Sequence, residues 1–426
     1  MSRHSGPSLV ALVALVVSLV CLGSGGVSAS AAPGPPEAPE WWFDSWDLSS
    51  LWASGADGRG VTVAVIDTGV QADLPELTDR VLPGADFIGN GTDGRIDFDG
   101  SDFSHGTAMA SIIVARRGYA SIEGVAPAAR ILPIAVPLRG VVSRGVPSPD
   151  TTSVATAAAI RYAADHDAKI ISMSLGSPRY PNEDELPCPP TLQDAIVYAI
   201  GKGSLVIAAA GNGGADRSPV EEPSVCLGTI SVGSVNAQLT ASAFSSRHPY
   251  LTLSAPGEQI PTLTRVANRA FVGGGTSQAT ALASAAVALV WSRFPSESGR
   301  QILSRVLASV TDEGPKGRDP LYGAGVINPK AAIAITTPAV AANPVFQGVQ
   351  PLLAMAAATP VRLPARRTAG DPTLPLGQLR VGKPAALLGV SFFVMLALTM
   401  AFGLLSLGLI IAGVRRQAQP MIALRT

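Results

Sequence analysis

Short β-branched runs alternate with helical stretches from Gly60 onward, and this alternation restricts the fold more than any other feature. Residues 61–66 read Val-Thr-Val-Ala-Val-Ile, the pattern of a strand that is buried on both faces. Further predicted helices and strands alternate over residues 105–117, 130–136, 151–166, 169–174, 191–202 and 205–210. Strands that alternate with helices form a mostly parallel sheet with helices on both faces. The sequence therefore predicts one three-layer α/β domain, which we place at residues 58–336.

The two ends of the chain carry apolar segments outside this domain. Arg3 precedes an apolar run that ends near Leu22, and small residues follow, so residues 1–32 are predicted to be a signal peptide. Residues 385–414 hold no charged residue, and about 20 apolar residues are enough to span a bilayer. We therefore predict one C-terminal transmembrane helix. The arginines that follow it favour a cytoplasmic tail over 415–426, with the α/β domain outside the cytoplasm on a single-pass protein of the cell membrane.

Two irregular segments are predicted to join the domain to these ends. Residues 33–57 hold four of the five tryptophans of the chain. We predict that this N-terminal extension packs on the domain, and contact with a membrane interface is the alternative. Residues 337–384 are rich in proline and alanine, poor in charge and without clear periodicity, which is typical of a linker.

Charge and cysteine content restrict the partners and the compartment. The chain has 31 basic and 31 acidic residues, whereas nucleic-acid-binding proteins usually present a basic face to phosphate. No nucleic-acid partner is therefore predicted. Removal of the signal peptide leaves Cys188 and Cys226, and two cysteines in an exported domain predict one disulfide. Two free thiols are the alternative, which an oxidising compartment disfavours.

A candidate nucleophile lies in residues 273–281, which read Gly-Gly-Gly-Thr-Ser-Gln-Ala-Thr-Ala and lead into a long run of helix formers. Such a turn can hold Ser277 at a helix N-terminus, where free backbone N–H groups suit a developing negative charge. For the isolated motif, a serine or threonine that merely caps a buried helix is the alternative.

The histidines leave few choices for a base that could activate Ser277. His4 belongs to the signal peptide, His166 lies at a predicted helix end, and His248 lies in a predicted surface loop. His105 instead follows the Gly- and Asp-rich loop 97–102 and opens an apolar helix, so its ring can face a cleft. A histidine that only caps the helix is the alternative for this motif alone.

Two further polar residues follow predicted strands. Asp67 ends the first strand, and the carboxyl ends of parallel strands are where open α/β sheets build their sites. Asn212 follows the strand that ends at Ala210, and its side-chain amide could stabilise an oxyanion beside Ser277. An Asx turn and a plain Asn-Gly turn are the alternatives. Asp-Thr-Gly also occurs in aspartic proteases, but those need two carboxylates and the chain has no second such motif.

The four motifs together are much more specific than any one of them. Asp67 in Asp-Thr-Gly, His105 in His-Gly-Thr, Asn212 in Gly-Asn-Gly and Ser277 in Gly-Thr-Ser stand in the chain order Asp, His, Asn, Ser. With these motifs, the chain resembles the subtilisin-like serine proteases over roughly residues 58–329. An export signal, the absence of a long prodomain and a single C-terminal span followed by arginines are similar to the layout of the mycosins, the membrane-anchored proteases of type VII secretion.

The resemblance implies a serine endopeptidase with a subtilisin-like α/β domain. By that resemblance, Ser277 is the nucleophile, His105 is the general base, and Asp67 orients the imidazole and stabilises its protonated form. The side chain of Asn212 and the backbone N–H of Ser277 are implied to hold the oxyanion.

The resemblance also implies where a substrate binds. Two segments would flank the pocket for the residue before the cleaved bond, one formed by Ser174, Leu175 and Gly176 and the other by Ala210 and Gly211. A peptide would pair with the first of them as an added strand.

Partners and cofactors follow from the same resemblance. The implied partners are a protein or peptide substrate, the membrane and the type VII secretion machinery. A structural role in a secretion complex, with proteolysis dispensable, is the alternative function. No cofactor and no metal ligand are assigned. Loop 97–102 is acidic, so a calcium site there remains an alternative, but a solvated turn is favoured for this loop.

Overall fold

A single parallel sheet forms the centre of the domain. The computed structural model describes residues 40–101, 103–118, 121–138, 149–179, 187–215, 219–336 and 343–358. In chain order the strands are β1 Thr62–Asp67, β2 Ala85–Asp86, β3 Arg130–Ala135, β4 Ile170–Met173, β5 Ser177–Arg179, β6 Leu205–Ala209, β7 Val220–Glu222, β8 Thr229–Val235, β9 Leu253–Pro256, β10 Ile260–Leu263 and β11 Ala270–Gly273. Seven of them form a sheet in the order β2-β3-β1-β4-β6-β8-β9, and every neighbouring pair is parallel. The predicted parallel sheet is confirmed.

Two small antiparallel sheets accompany the main one. Strand β10 pairs with β11, which leads directly into the Gly-rich turn before Ser277. Strand β5 pairs with β7, and Pro178 lies opposite Glu221 in that pair. Both small sheets therefore lie close in the chain to the predicted site residues.

Helices form two layers against the sheet. They are α1 Trp41–Ser45, α2 Leu48–Ala53, α3 His105–Val114, α4 Pro149–Asp165, α5 Pro190–Gly201, α6 Thr276–Arg293, α7 Gly299–Ala308, α8 Pro329–Ala334, α9 Pro344–Gln347 and α10 Gln350–Ala358. Helix α3 packs with α6, and α4 packs with α5. The Ser284 hydroxyl of α6 donates to the Ser172 hydroxyl of β4 at 2.9 Å. Because side chains alternate along a strand, Ile171 and Met173 face the opposite layer.

Helix α6 is enclosed over most of its length. Every residue from Gln278 to Trp291 is buried, and this stretch is rich in alanine. A helix that is apolar all round is suited to the interior, because it has no polar face to present to water. The helix that carries Ser277 is therefore rigidly mounted.

The N-terminal extension packs on the domain, as the tryptophan-rich sequence predicts. Trp42 and Trp46 are buried in the same apolar core as the main sheet. The Trp52 indole N–H donates to the Val125 carbonyl at 3.0 Å, which ties α2 to the loop before β3. These aromatic side chains remove a large apolar area from water, so they fasten the extension without a covalent link.

Part of the segment predicted to be a linker is folded on the domain. Asn343 caps α9 by accepting from the Val345 N–H at 3.1 Å, and Pro344 takes the first helical position, where its missing N–H is not needed. Phe346 and Val349 are buried in the core. The linker prediction is therefore wrong for residues 343–358, because two helices this short and apolar leave little periodicity in the sequence.

The disulfide is also as predicted. Cys188 and Cys226 are bonded, with their Cα atoms 5.1 Å apart, and join the segment before α5 to the segment before β8. The predicted signal peptide, transmembrane helix and cytoplasmic tail lie outside the described residues. Within the described part of the chain, no helix has both the length and the apolar character needed to cross a membrane.

Replacement of Trp42 by alanine is expected to lower the free energy of unfolding by about 3–5 kcal/mol, because it leaves a large cavity in the core. Trp52→Phe is the matched control, since it keeps an aromatic ring and loses the hydrogen bond to Val125, for which about 1 kcal/mol is expected. Chemical denaturation of the full chain, followed by circular dichroism, measures both losses. Equal losses of unfolding free energy in the two variants would contradict a larger contribution from the burial of Trp42 than from the hydrogen bond of Trp52.

Candidate active site

An acid and an imidazole meet at the carboxyl end of β1. Asp67 is the last residue of that strand and is fully buried. The His105 Nδ1 atom lies 2.8 Å from Asp67 Oδ1 and 2.9 Å from Oδ2. Because an ionised carboxylate only accepts, this contact assigns a proton to Nδ1, and in the neutral imidazole Nε2 is then unprotonated and able to act as a base.

The charges around His105 favour its protonated form. Burial of the ring opposes protonation, but the charge and hydrogen bond of Asp67, with the charges of Asp97 and Asp99, outweigh it and raise the pKa of His105 above its ordinary value. The His105 side chain keeps 19% of its surface exposed, whereas Asp67 keeps none. The imidazole can therefore exchange a proton with a molecule in the cleft, while Asp67 remains in the interior.

Three side chains from other segments cap the N-terminus of α3. Asp99 accepts from the His105 N–H at 2.9 Å, Thr68 Oγ1 from the Gly106 N–H at 3.0 Å, and Asp97 from the Thr107 N–H at 2.8 Å. These are donors that a helix cannot satisfy internally. The prediction that loop 97–102 is a solvated turn is wrong for Asp97 and Asp99, because both are buried.

Asp97 links that cap to the end of β1. One of its oxygens accepts from the Thr68 hydroxyl at 2.8 Å and from the Asp99 N–H at 2.9 Å. Burial raises the pKa of Asp97, while the hydrogen bonds from Thr107, Asp99 and Thr68 act against that rise. In the part of the chain that the structure describes, no group of three or more His, Cys, Asp or Glu side chains could hold a metal ion.

A close backbone approach explains the glycine after His105. A Cβ atom at Gly106 would lie 2.0 Å from the carbonyl oxygen of Gly69. Any side chain there would push α3 away from the turn that follows Asp67. The His-Gly and Asp-Thr-Gly motifs thus belong to one contact between two segments.

Ser277 lies in the first turn of α6 and exchanges hydrogen bonds with Ser174. Its hydroxyl donates to the Ser174 carbonyl at 3.0 Å, and the Ser174 hydroxyl donates to the Ser277 carbonyl at 2.8 Å. No hydrogen bond joins Ser277 to His105, although both residues are described. Transfer of the hydroxyl proton to His105 therefore requires rotation about the Cα–Cβ bond of Ser277.

Asn212 is fixed by its side-chain oxygen. That oxygen accepts from the Thr276 N–H at 2.9 Å and from the Thr276 hydroxyl at 3.0 Å. The amide group of Asn212 is thereby oriented, and its NH₂ is left for a ligand. Ser277 follows Thr276 at the start of α6, where backbone N–H groups have no intrahelical acceptor. The two donors suit a negatively charged oxygen beside Ser277.

The predicted substrate-binding segments continue two neighbouring strands. Ser174, Leu175 and Gly176 follow β4, while Ala210 and Gly211 follow β6, and these strands are adjacent and parallel. The Gly211 N–H donates to the Thr276 hydroxyl at 3.2 Å, so the second segment also reaches the start of α6. The two segments therefore flank one gap next to Ser277.

A cavity of about 160 Å³ opens beside the 174–176 segment. It reaches from His105 to the helices of the second layer and is lined also by Leu138, Thr152, Ser153, Thr156, Ser174–Ser177, Leu192, Glu222 and Pro223. The cavity therefore connects His105 with one of the two predicted substrate-binding segments.

Sequence reasoning missed several residues that support the site. Thr68 and Thr276 are the threonines next to Asp67 and Ser277 in the Asp-Thr-Gly and Gly-Thr-Ser motifs. Their place in these motifs could have indicated that they support the site. Asp97 and Asp99 could have been found from their position shortly before a helix start. His248, predicted on the surface, is buried and stacks on Tyr250 with ring centroids 4.4 Å apart.

Comparisons with known proteins agree on one family. The model of the subtilase family matches residues 58–325. Mycosin-4 of Mycobacterium tuberculosis (strain ATCC 25618 / H37Rv) is 33% identical over 333 residues, 67% of this chain and 67% of the relative. The MycP3 protease from the type VII (ESX-3) secretion system has a solved structure with 30% identity and a TM-score of 0.63, covering 72% of this chain and 91% of that chain.

A third match comes from a larger assembly. A chain in the structure of an intact ESX-5 inner membrane complex is 25% identical, with a TM-score of 0.60. The match covers 88% of this chain and 90% of that chain. It therefore extends over more of the sequence than the family model does.

Replacement of Asp99 by asparagine is expected to lower the pKa of His105, because it removes a negative charge that favours the imidazolium and keeps an oxygen acceptor for the helix cap. Titration of ¹⁵N-labelled histidines in the full chain measures this pKa. Asp86→Asn is the matched control, since Asp86 also accepts backbone N–H groups but in a different turn. An unchanged pKa in the Asp99 variant would refute the electrostatic role of that residue.

Proposed function

The chain belongs to the subtilase family and is a serine endopeptidase related to the mycosins of type VII secretion, and from this premise we propose that Asp67, His105 and Ser277 form its catalytic triad. The observation that carries the proposal is the buried carboxylate of Asp67 against His105 Nδ1 at 2.8 Å. This contact fixes the imidazole tautomer that leaves Nε2 as the base.

The proposed reaction begins with rotation of the Ser277 hydroxyl from Ser174 towards His105. Ser277 Oγ attacks the scissile carbonyl carbon while His105 Nε2 accepts its proton, and Asp67 stabilises the imidazolium. The imidazolium then protonates the leaving amine, which departs and leaves an acyl group on Ser277. A water molecule, activated by His105 in the same way, hydrolyses that ester and restores the hydroxyl.

The negative charge that forms on the carbonyl oxygen has two proposed donors. One is the NH₂ group of Asn212, and the other is the backbone N–H of Ser277. Both are oriented before the substrate arrives, because Thr276 holds the oxygen of Asn212 and α6 holds the backbone. Donors that need no reorganisation stabilise the transition state most effectively.

A fluorophosphonate probe on the purified full chain tests the nucleophile. We expect one covalent adduct on Ser277, none in Ser277→Ala, and wild-type labelling in Ser292→Ala. Ser292 is the matched control because it lies on the same helix with its hydroxyl bonded to the Leu289 carbonyl at 2.8 Å. Labelling that persists in Ser277→Ala would assign the nucleophile elsewhere.

Asn212→Ala is expected to lower kcat by about 10²–10³, the loss known for the equivalent donor of subtilisin, with little change in KM. The reason is that the amide meets the carbonyl oxygen only when it becomes negative. Steady-state hydrolysis of one peptide substrate measures both constants. A rise in KM with kcat unchanged would instead indicate that Asn212 binds the ground state.

We also propose that the protease is anchored in the cell membrane by residues 385–414, with its catalytic domain outside the cytoplasm, and works with a type VII secretion machinery. The charge-free run and the arginines after it support the anchor. The match to a chain of the ESX-5 inner membrane complex supports the association, since it covers 88% of this sequence. Substrates are proteins or peptides that reach that side of the membrane.

Membrane anchoring is tested by carbonate extraction of membranes that contain the full chain. We expect the chain to stay in the pellet, and a chain shortened before residue 385 to leave it. Release of the full chain by carbonate would contradict the proposed span.

A structural role in the secretion complex is the second candidate, and the match to the ESX-5 assembly favours it. Expression of the Ser277→Ala chain in a strain that lacks this protein separates the two roles. Secretion restored by this variant supports the structural role, whereas secretion restored only by the wild type supports proteolysis.

A further inference from the structure

A glutamate side chain lies between the two segments that flank the gap beside Ser277. A Cβ atom placed on Gly176 would be 2.7 Å from Glu221 Oε2. A Cβ atom placed on Gly211 would be 2.6 Å from both Cγ and Oε1 of the same glutamate. The Glu221 side chain therefore contacts both walls at once, and both walls are glycine where it does so.

The backbone holds Glu221 in this position. It is the middle residue of β7 and lies opposite Pro178 of β5, the strand that follows the 174–176 segment. Its N–H donates to the Tyr250 hydroxyl at 3.2 Å, and its carbonyl accepts from the Val225 N–H at 2.8 Å. The side chain is thus delivered into the gap by a paired strand, and not by a free loop.

Within the described residues, the carboxylate of Glu221 has no hydrogen-bond partner. Glu221 is only 6% exposed, and no donor of the described residues forms a hydrogen bond with its carboxylate. Burial raises its pKa to about 7. The next residue, Glu222, is also buried but its carboxylate is paired, because it binds Arg179 at 2.7 Å and accepts from the Ser153 hydroxyl at 2.8 Å.

We propose that Glu221 is a specificity-determining residue, which restricts the substrate residue before the cleaved bond to small side chains such as those of glycine, alanine and serine. The proposal rests on the function proposed above, in which the gap receives that residue. It assigns to this chain a selectivity that the triad and the oxyanion donors do not determine.

The volume of the Glu221 side chain and the hydration of its carboxylate both disfavour large substrate side chains. A large substrate side chain that enters between Gly176 and Gly211 clashes with the Glu221 carboxylate. A large apolar side chain also removes the remaining water from an unpaired acid, which is unfavourable without a new hydrogen bond. A small side chain avoids both penalties, because it ends before the carboxylate.

The test compares peptides that differ only in the residue before the cleaved bond, with alanine, leucine, phenylalanine or lysine at that position. The full chain is used as wild type, Glu221→Ala and Glu221→Gln. The wild type is expected to prefer alanine. Glu221→Ala is expected to raise the phenylalanine-to-alanine ratio of kcat/KM by at least about tenfold, the effect of freeing one or two methylene volumes in a pocket.

Two variants isolate the cause. Glu221→Gln has nearly the same size as the wild type, so we expect it to keep the preference for alanine. Glu297→Gln is the control away from the gap, and it is expected to keep the wild-type ratio because the carboxylate of Glu297 is held by Arg305 at 2.7 Å outside the cleft. A loss of the alanine preference in Glu221→Gln would contradict the proposal, because it would show that the charge of Glu221, and not its volume, excludes large side chains.

The wild-type profile alone can overturn the proposal, whatever the variants do. Equal cleavage after phenylalanine and alanine, or a preference for lysine, contradicts a filled gap. Fluorophosphonate labelling of Ser277 in the same preparation separates the two proposals: absent labelling refutes the catalytic function, whereas normal labelling with a flat profile refutes only the role of Glu221.

Discussion

The site depends on a buried carboxylate that joins three segments. Asp97 accepts from Thr68 after β1, from Asp99 in its own loop and from Thr107 in α3. Without it, the first turn of α3 would keep unsatisfied donors in the interior, where each costs about 1–3 kcal/mol. The geometry of His105 against Asp67 is therefore a consequence of how the helix is capped. Because the cap is made by acids, it also sets the charge around the imidazole.

A second, independent clamp positions the other half of the site. Thr276 binds Asn212 through its N–H and its hydroxyl, and the Thr276 hydroxyl also accepts from the Gly211 N–H. Ser174 and Ser277 exchange two hydrogen bonds across the same region. The start of α6 is thus tied to the ends of both β4 and β6. A nucleophile on a buried helix and donors on two strand ends share one rigid frame, which is the requirement for preorganised catalysis.

The sequence predicted those parts in which local pattern and chemistry coincide. Asp67 ends a strand, Asn212 lies in the turn after one, and His105 and Ser277 lie in the first turn of a helix, so the predicted elements indicated their positions and their chemistry indicated their roles. Residues 343–358 escaped prediction because α9 and α10 are too short to show a helical period and are stabilised by tertiary contacts of Phe346 and Val349. The burial of His248 also depends on contacts distant in the sequence, which no local pattern encodes.

Glu221 shows why substrate selection was invisible from the sequence. Its neighbours in the chain are ordinary strand residues, and only the fold brings it between Gly176 and Gly211. With its pKa raised from 4.5 to about 7, the ionised form destabilises the fold, and this penalty is absent below about pH 4.5, grows with pH and is complete above pH 7. The shift corresponds to about 3 kcal/mol, as each pKa unit is about 1.4 kcal/mol. An alanine at this position would avoid that penalty. Gly176 and Gly211 leave room for this acid in the gap beside the nucleophile, and its cost to stability there supports a role in substrate selection.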